Sequence, residues 1–122
     1  MTTYNPFRST VTDETLVKFL QEDMKYDLES VPGIGPAAKK ILQEILIMNS
    51  FQLFAKFLQF KVSEGDGCVQ HCNRFYGFLT EIGITSNRHS ITKSIAEKAG
   101  IFLPNLYQEY QFTHLEKMDT EC

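Results

Sequence analysis

Residues 32–36 read Pro-Gly-Ile-Gly-Pro, and this segment limits the possible fold more than any other part of the chain. Glycine reaches backbone angles that are closed to other residues, whereas proline fixes φ and has no N–H to donate. Neither a strand nor a continuous helix passes easily through such a segment. Because Pro36 suits the first position of a helix, the sequence predicts a hairpin over residues 31–42 that opens into a helix.

The hairpin has the composition of an anion-binding site. Its glycines let a ligand approach the main chain, and we expect the N–H groups of Gly35, Ala37 and Ala38 at the positive end of the new helix. Lys39 and Lys40 add positive charge within the next turn. The pattern therefore predicts phosphate binding. The alternative is a plain Gly-Pro corner between two packed helices.

Apolar residues elsewhere recur at the spacing of amphipathic helices, and no strand pattern of convincing length is present. Caps and breaks predict helices at about residues 12–23, 27–31, 36–48, 51–60, 68–82 and 87–99. The capping and terminating residues are Thr12 or Asp13, Asn49 with Ser50, Gly83 and Ser86. We therefore expect an all-α fold, a small compact bundle of about five to six short helices.

The same spacing predicts which residues of these helices are buried. The predicted core positions are Leu16, Phe19, Leu20, Ala38, Ile41, Leu42, Ile45, Phe51, Phe54, Phe57, Leu58, Val69, Cys72, Phe75, Tyr76, Leu79, Ile91, Ile95 and Ala99. The helix at 51–60 is apolar on nearly every side. It is either the centre of the core alone or a core helix that also contacts a partner subunit.

A chain of 122 residues fits one domain. We place the packed helical domain at residues 1–104 and an acidic C-terminal tail or loosely docked helix at 105–122, with Pro104 ending the packed region. The formal net charge is −3, but residues 31–62 contain four lysines and one acidic residue. Positive charge is therefore concentrated around the hairpin.

The first residues lack an apolar segment of signal-peptide length, and no apolar run reaches the ~18 residues that a membrane span needs. The three cysteines are an odd number without a disulfide framework, which fits a reducing compartment. We expect an intracellular protein, nuclear or cytosolic, that is not secreted and does not insert into membranes.

The sequence contains no recognisable catalytic constellation. Its three histidines stand beside neither a nucleophile nor paired carboxylates, and no acidic cluster accompanies the hairpin. Cys68, His71 and Cys72 fall within one helical turn but supply only part of a zinc site, so we expect buried thiols beside an exposed imidazole. We therefore predict a protein that is not an enzyme and has no cofactor and no metal.

Residues 28–35, Leu-Glu-Ser-Val-Pro-Gly-Ile-Gly, resemble the turn of helix-hairpin-helix DNA-binding domains, in which turn amides hold a DNA phosphate without reading bases. Over residues 26–102, the order of helices resembles the barrier-to-autointegration factor family. These are small helical DNA-binding dimers without sequence specificity, associated with chromatin and the nuclear envelope. The resemblance continues through residues 54–58, Phe-Ala-Lys-Phe-Leu, to the helix after Gly83 and implies a SAM-like bundle.

The resemblance also implies a set of sites and partners. Together with the charge of the hairpin, it predicts DNA contacts at Gly33, Ile34, Gly35, Ala37, Ala38, Lys39, Lys40, Arg88 and Lys93. The family usually has a small residue at the position of Lys39, and Ala38 is the alternative packing residue. The implied partners are double-stranded DNA, contacted through its phosphate backbone, and a second copy in a homodimer that could bridge two duplexes.

Two functions from different classes remain. In the first, the chain is a DNA-binding protein without sequence specificity that bridges DNA as a homodimer in chromatin organisation. In the second, it is a helical protein-interaction module, a scaffold or DNA-repair accessory, in which the hairpin is only a structural turn.

Overall fold

The structure is a computed structural model that describes residues 3–107. All regular secondary structure in this part of the chain is helical, so the predicted all-α bundle is confirmed. The helices are α1 (Asp13–Gln21), α2 (Pro36–Glu44), α3 (Ser50–Gln59), α4 (Cys68–Glu81) and α5 (Arg88–Phe102), with 3₁₀ turns at Pro6–Arg8 and Leu28–Ser30. The second of these turns replaces the short helix predicted at residues 27–31.

Helix α5 lies at the centre of the bundle, where it contacts α1, α3 and α4. Ile91, Ile95 and Ala99 enter the core as predicted. Polar residues of this helix are also buried, because neighbouring elements cover it on several sides: Ser90, Thr92, Ser94 and Lys98. The helix is preceded by Asn87 in a left-handed conformation rather than capped by Ser86, and it continues to Phe102.

Lys98 joins α5 to the end of α1. Its side chain is 1% exposed, and its ammonium group donates to the carbonyl oxygens of Phe19 and Glu22 at 2.5 Å and of Leu20 at 3.4 Å. Carbonyl groups at a helix end lack intrahelical partners and form the negative end of the helix dipole. The ammonium also lies 4.9 Å from the ring centroid of Phe19. The buried charge is therefore stabilised by the carbonyl groups that it caps.

Helix α2 ends at Glu44, earlier than the predicted end near residue 48. The N–H of Ile47 donates to the carbonyl of Leu42, and the N–H of Leu46 donates to Gln43, both at 3.0 Å. This is a Schellman motif with Leu46 in the left-handed position, at φ 70°. The prediction was wrong because that position usually holds glycine, as Gly83 does at the end of α4 with φ 99°. Ile45, predicted to be buried, is exposed.

Helix α3 is rotated relative to the prediction. Leu53 and Phe57 are fully buried, whereas Phe51 is 45% exposed and Phe54 and Leu58 are half-buried. Asn49 caps the helix as predicted. The rotation is explained by bonds from Ser50 to an earlier segment of the chain: its hydroxyl donates to the carbonyl of Lys25, and its N–H donates to the carbonyl of Tyr26. These bonds turn Ser50 inward and Phe51 outward.

Helix α4 buries four of its predicted core residues, which are Cys72, Phe75, Tyr76 and Leu79. Val69, predicted to be buried, is exposed, and Gly83 ends the helix as predicted. His71 was expected to be exposed but is fully buried. The prediction failed there because the helical pattern could not show that α3 and the segment after α5 both cover this residue.

The buried imidazole of His71 connects three parts of the chain. Its Nε2 donates to the carbonyl of Phe57 at 2.6 Å, and Nδ1 therefore accepts from the Tyr107 hydroxyl at 2.9 Å. The ring stacks on Phe57 with centroids 4.0 Å apart. Burial lowers the pKa of His71, which favours this neutral state. Contacts with the bundle thus continue beyond Pro104.

None of the helices in residues 3–107 has the length and apolar character that crossing a bilayer requires, and the longest of them, α5, has 15 residues. The predicted C-terminal tail falls, from residue 108 onward, outside the described residues.

We expect the substitution Leu46→Gly to raise the free energy of unfolding by about 1 kcal/mol. A residue with a side chain is strained in the left-handed conformation, and glycine is not. Few packing contacts are lost, since Leu46 is 78% exposed. Urea unfolding followed by circular dichroism measures the change. The control is Met48→Gly, an exposed neighbour whose φ is not positive, which should lower stability. Destabilisation by both substitutions would contradict the role assigned to Leu46.

Candidate nucleic-acid interface

The predicted hairpin begins with a tight turn at residues 31–34. The N–H of Ile34 donates to the carbonyl of Val31 at 3.0 Å, closing the turn. Pro32 occupies its second position and Gly33 its third, with φ 99°. A type II turn has this arrangement, because its third position requires the positive φ that glycine adopts without strain. The proline and first glycine of the motif therefore have a defined structural role.

The backbone of Gly33 packs directly on the start of α5. A Cβ at this position would lie 2.9 Å from Ile91 Cγ1 and 3.3 Å from both Asn87 Cβ and the Asn87 carbonyl oxygen. Contacts that short leave no room for a side chain. The absence of a side chain thus brings the hairpin against the first turn of α5, which carries Arg88.

The start of α2 remains open at Gly35. This residue precedes the helix with φ −105° and ψ −170°, and the first backbone bond of α2 runs from Lys39 N–H to Gly35 carbonyl at 3.0 Å. The amides of Ala37 and Ala38 come before that bond and have no partner within α2. Apart from Gly35 itself and its two chain neighbours, no heavy atom of the described residues lies within 4 Å of where a Gly35 Cβ would be. A ligand can therefore approach the backbone at this point.

Ile34 differs from expectation, whereas Ala38 follows the alternative prediction. The amide of Ile34 already donates within the turn and its side chain is buried, so Ile34 offers no backbone donor to a ligand. Ala38 is buried beside Leu42 in the core. Ala38 therefore packs against the bundle, as the alternative prediction proposed, and Lys39 points elsewhere.

Lys39 is bound within the hairpin. Its ammonium lies 3.1 Å from Asp27 Oδ1 and 3.8 Å from Glu29 Oε2, and its side chain is 31% exposed. The same Asp27 oxygen accepts the N–H of Glu29 at 3.0 Å. The hydrogen bond from the Glu29 amide and then that from Lys39 lower the pKa of Asp27, and the hydrogen bond that Lys39 donates to Asp27 raises the pKa of Lys39. Both groups are therefore charged at neutral pH. The next residue, Lys40, is exposed to solvent.

These two acidic residues were not among the predicted site residues. The only sign of their role in the sequence is that two acidic residues, Asp27 and Glu29, stand shortly before the hairpin. The two carboxylates reach Lys39 only because the turn at residues 31–34 folds the segment before it against α2. The spacing of residues in the sequence does not specify that geometry.

On the α5 side, Arg88 is held at the junction with α4. Its Nη1 donates to Thr80 Oγ1 at 2.8 Å, and its guanidinium lies 5.1 Å from the ring centroid of Tyr76. Lys93 lies one turn further along, where its charge opposes the rise that burial causes in the pKa of Glu97. Arg88 is therefore near the hairpin contact at Asn87, and Lys93 is more distant along the helix.

The N-terminal segment also reaches the start of α5, which the sequence did not predict. His89 Nδ1 accepts the N–H of Asn5 at 3.1 Å, and Ser90 Oγ accepts the N–H of Thr10 at 2.8 Å. Burial, and then the charges of Arg8 and Arg88, lower the pKa of His89. Arg8 is thus brought to the same region as Arg88.

Comparison of the chain with protein-family models, curated proteins and solved structures finds no match. The resemblance to the barrier-to-autointegration factor family therefore stays a hypothesis that rests on the hairpin residues and the order of helices.

Gly33 and Gly35 should respond differently to alanine. We expect Gly33→Ala to lower the free energy of unfolding by about 1–3 kcal/mol, because it combines a positive φ with contacts on Ile91 and Asn87. Gly35→Ala should change it by less than about 0.5 kcal/mol, since its φ is ordinary and its surroundings are open. Chemical denaturation of the two variants provides the measurement. Equal losses would be inconsistent with the contact between the hairpin and α5.

Proposed function

We propose that this protein binds double-stranded DNA through phosphates, without sequence specificity and without catalysis. The observation that carries the proposal is the open start of α2 at Gly35, which the contact of Gly33 holds against the start of α5. Amides at a helix start point toward an anion and meet it with the positive end of the helix dipole. Such contacts fix the position of a phosphate and carry no base information.

Basic side chains around this point add attraction at longer range. Lys40 is exposed on α2, and Arg88 and Arg8 lie at the start of α5. Each cation that approaches a phosphate releases a condensed counterion, so the affinity should fall steeply with salt. Lys93 is a more peripheral candidate because it lies further along α5.

We further propose that the protein acts as a homodimer that bridges two duplexes in chromatin, within the nucleus. Support comes from the junction patch, the exposed apolar residues Tyr26, Leu46, Met48 and Phe51 around the connection between α2 and α3. The rings of Tyr26 and Phe51 pack edge to face with centroids 5.2 Å apart. Clustered exposed apolar side chains are typical of protein interfaces.

The junction patch also favours the second candidate, a protein-interaction module that uses the hairpin only as a corner. Light scattering of the wild type and of Met48→Glu/Phe51→Glu separates the two. The bridging dimer predicts twice the chain mass for the wild type and one chain mass for the variant. A wild type that is monomeric and also ignores DNA at low salt would support the interaction module.

DNA binding is tested by a salt titration with two duplexes of unrelated sequence. We expect equal affinity for both, a steep loss with salt, and roughly tenfold weaker binding by Gly35→Glu, which puts a negative charge at the phosphate position. A Cβ at Gly35 would lie in open space and φ is ordinary, so folding should be retained.

Two control variants accompany the titration. Gly35→Ala tests the added side chain without charge. Gly65→Glu adds the same charge in the loop before α4. The length of α4, about 20 Å, separates this loop from the connection between α4 and α5. Gly65→Glu should bind within about twofold of the wild type, and Gly35→Ala should lose less affinity than Gly35→Glu because it adds no charge. Unchanged binding by Gly35→Glu would exclude the hairpin as the DNA contact.

A further inference from the structure

Two carboxylates lie beside the hairpin, where a surface that binds phosphate gains nothing from negative charge. Asp27 and Glu29 belong to the segment that enters the turn, and both contact the ammonium group of Lys39 on α2. Their side chains are 57% and 39% exposed, so their charges also act on the solvent side. Together with Lys39, this group has a net charge of −1.

The position of Asp27 is fixed by the local backbone. One of its carboxylate oxygens accepts the Glu29 N–H at 3.0 Å while it contacts Lys39 at 3.1 Å. Its own carbonyl accepts the hydroxyl of Ser30 and the Ser30 N–H. The acidic partner of Lys39 is therefore already in place before any ligand arrives. A long lysine side chain would otherwise sample many directions, including those toward a phosphate.

We propose that Asp27 and Glu29 limit the affinity of the hairpin for DNA phosphates by holding Lys39 away from them. The inference rests on the proposed DNA-binding function and concerns the regulation of that same site. Lys39 then contributes little to DNA binding in the wild type, although it stands beside the α2 start. Neutralising the two carboxylates removes their repulsion and releases Lys39 to contact phosphate.

These ion pairs therefore set an upper limit on the affinity of the hairpin for DNA. A protein that contacts DNA without reading bases meets many equivalent sites, and weak contacts let it dissociate and rebind. The ion pairs cross from the entering segment to α2, so they also restrict the hairpin itself. Exposed ion pairs add little to stability, which means that their removal should leave the fold intact.

The test is a double-mutant cycle on DNA affinity. The variants are Asp27→Asn/Glu29→Gln, Lys39→Met and the triple combination, measured on one duplex at several salt concentrations beside the wild type. Asparagine at 27 retains a side-chain oxygen that can accept the Glu29 N–H. Glu44→Gln/Glu64→Gln removes the same two charges at the far end of α2 and in the loop before α4, and serves as the matched control.

We expect Asp27→Asn/Glu29→Gln to bind about fivefold tighter than the wild type at low salt, and the control to change by less than about twofold. The slope of log K against log salt should become more negative by about 0.9, as for one additional phosphate contact. Lys39→Met should abolish that gain in slope. In the wild-type background, Lys39→Met should cost roughly threefold less affinity than in the neutralised background.

Equal effects of Lys39→Met in the two backgrounds, or a neutralised variant that binds no more tightly than the control, would overturn the inference. The single variant Glu29→Gln, which keeps the Asp27 contacts, should give a smaller gain of the same sign. Including Gly35→Glu separates the two proposals. If Gly35→Glu weakens binding but neutralising Asp27 and Glu29 leaves it unchanged, this inference alone is rejected. If no variant shows salt-dependent binding to DNA, the proposed function is rejected as well.

Discussion

The contact of Gly33 with the first turn of α5 is the constraint on which the candidate interface depends. A side chain at this position would meet Ile91 and Asn87 at 2.9 and 3.3 Å, so the hairpin can approach α5 only because Gly33 has none. This approach brings the hairpin, from which α2 begins, against the first turn of α5, where Arg88 follows Asn87 in the chain. Gly35 has the opposite surroundings, with an ordinary φ and an open environment. The two glycines therefore serve different purposes, one for packing and one for access.

The hairpin needs a rigid partner, and α5 supplies it. This helix is covered by α1, α3 and α4, and Lys98 ties it to α1 by capping carbonyl groups of Phe19 and Glu22. Removing a partner from a buried charge is costly, so such a contact favours one arrangement of the two helices. The N-terminal segment adds bonds to His89 and Ser90 in the first turn of the helix. The surface that carries Arg88 is thus fixed from several directions.

Local signals predicted the elements but not how they face one another. The turn at Gly33 and the end of α4 at Gly83 follow from glycine's access to positive φ, which a sequence displays directly. The end of α2 did not follow, because Leu46 adopts the same conformation against its own preference. The rotation of α3 depends on bonds from Ser50 to a distant segment, and the ion pairs of Lys39 require the finished hairpin. Contacts between segments determine these features, and the spacing of apolar residues within one helix does not predict such contacts.

Net charge gives a poor account of what the surface offers to an anion. The formal charge of −3 counts Lys98, which is buried, and Lys39, which is paired with two carboxylates, as if they were exposed cations. Arg88 is likewise engaged with Thr80 and Tyr76. The backbone amides at the start of α2 carry no formal charge and do not titrate, yet they meet an anion with the dipole of the helix. A chain with acidic composition can therefore contact phosphate, provided that its backbone geometry supplies donors that its side chains do not.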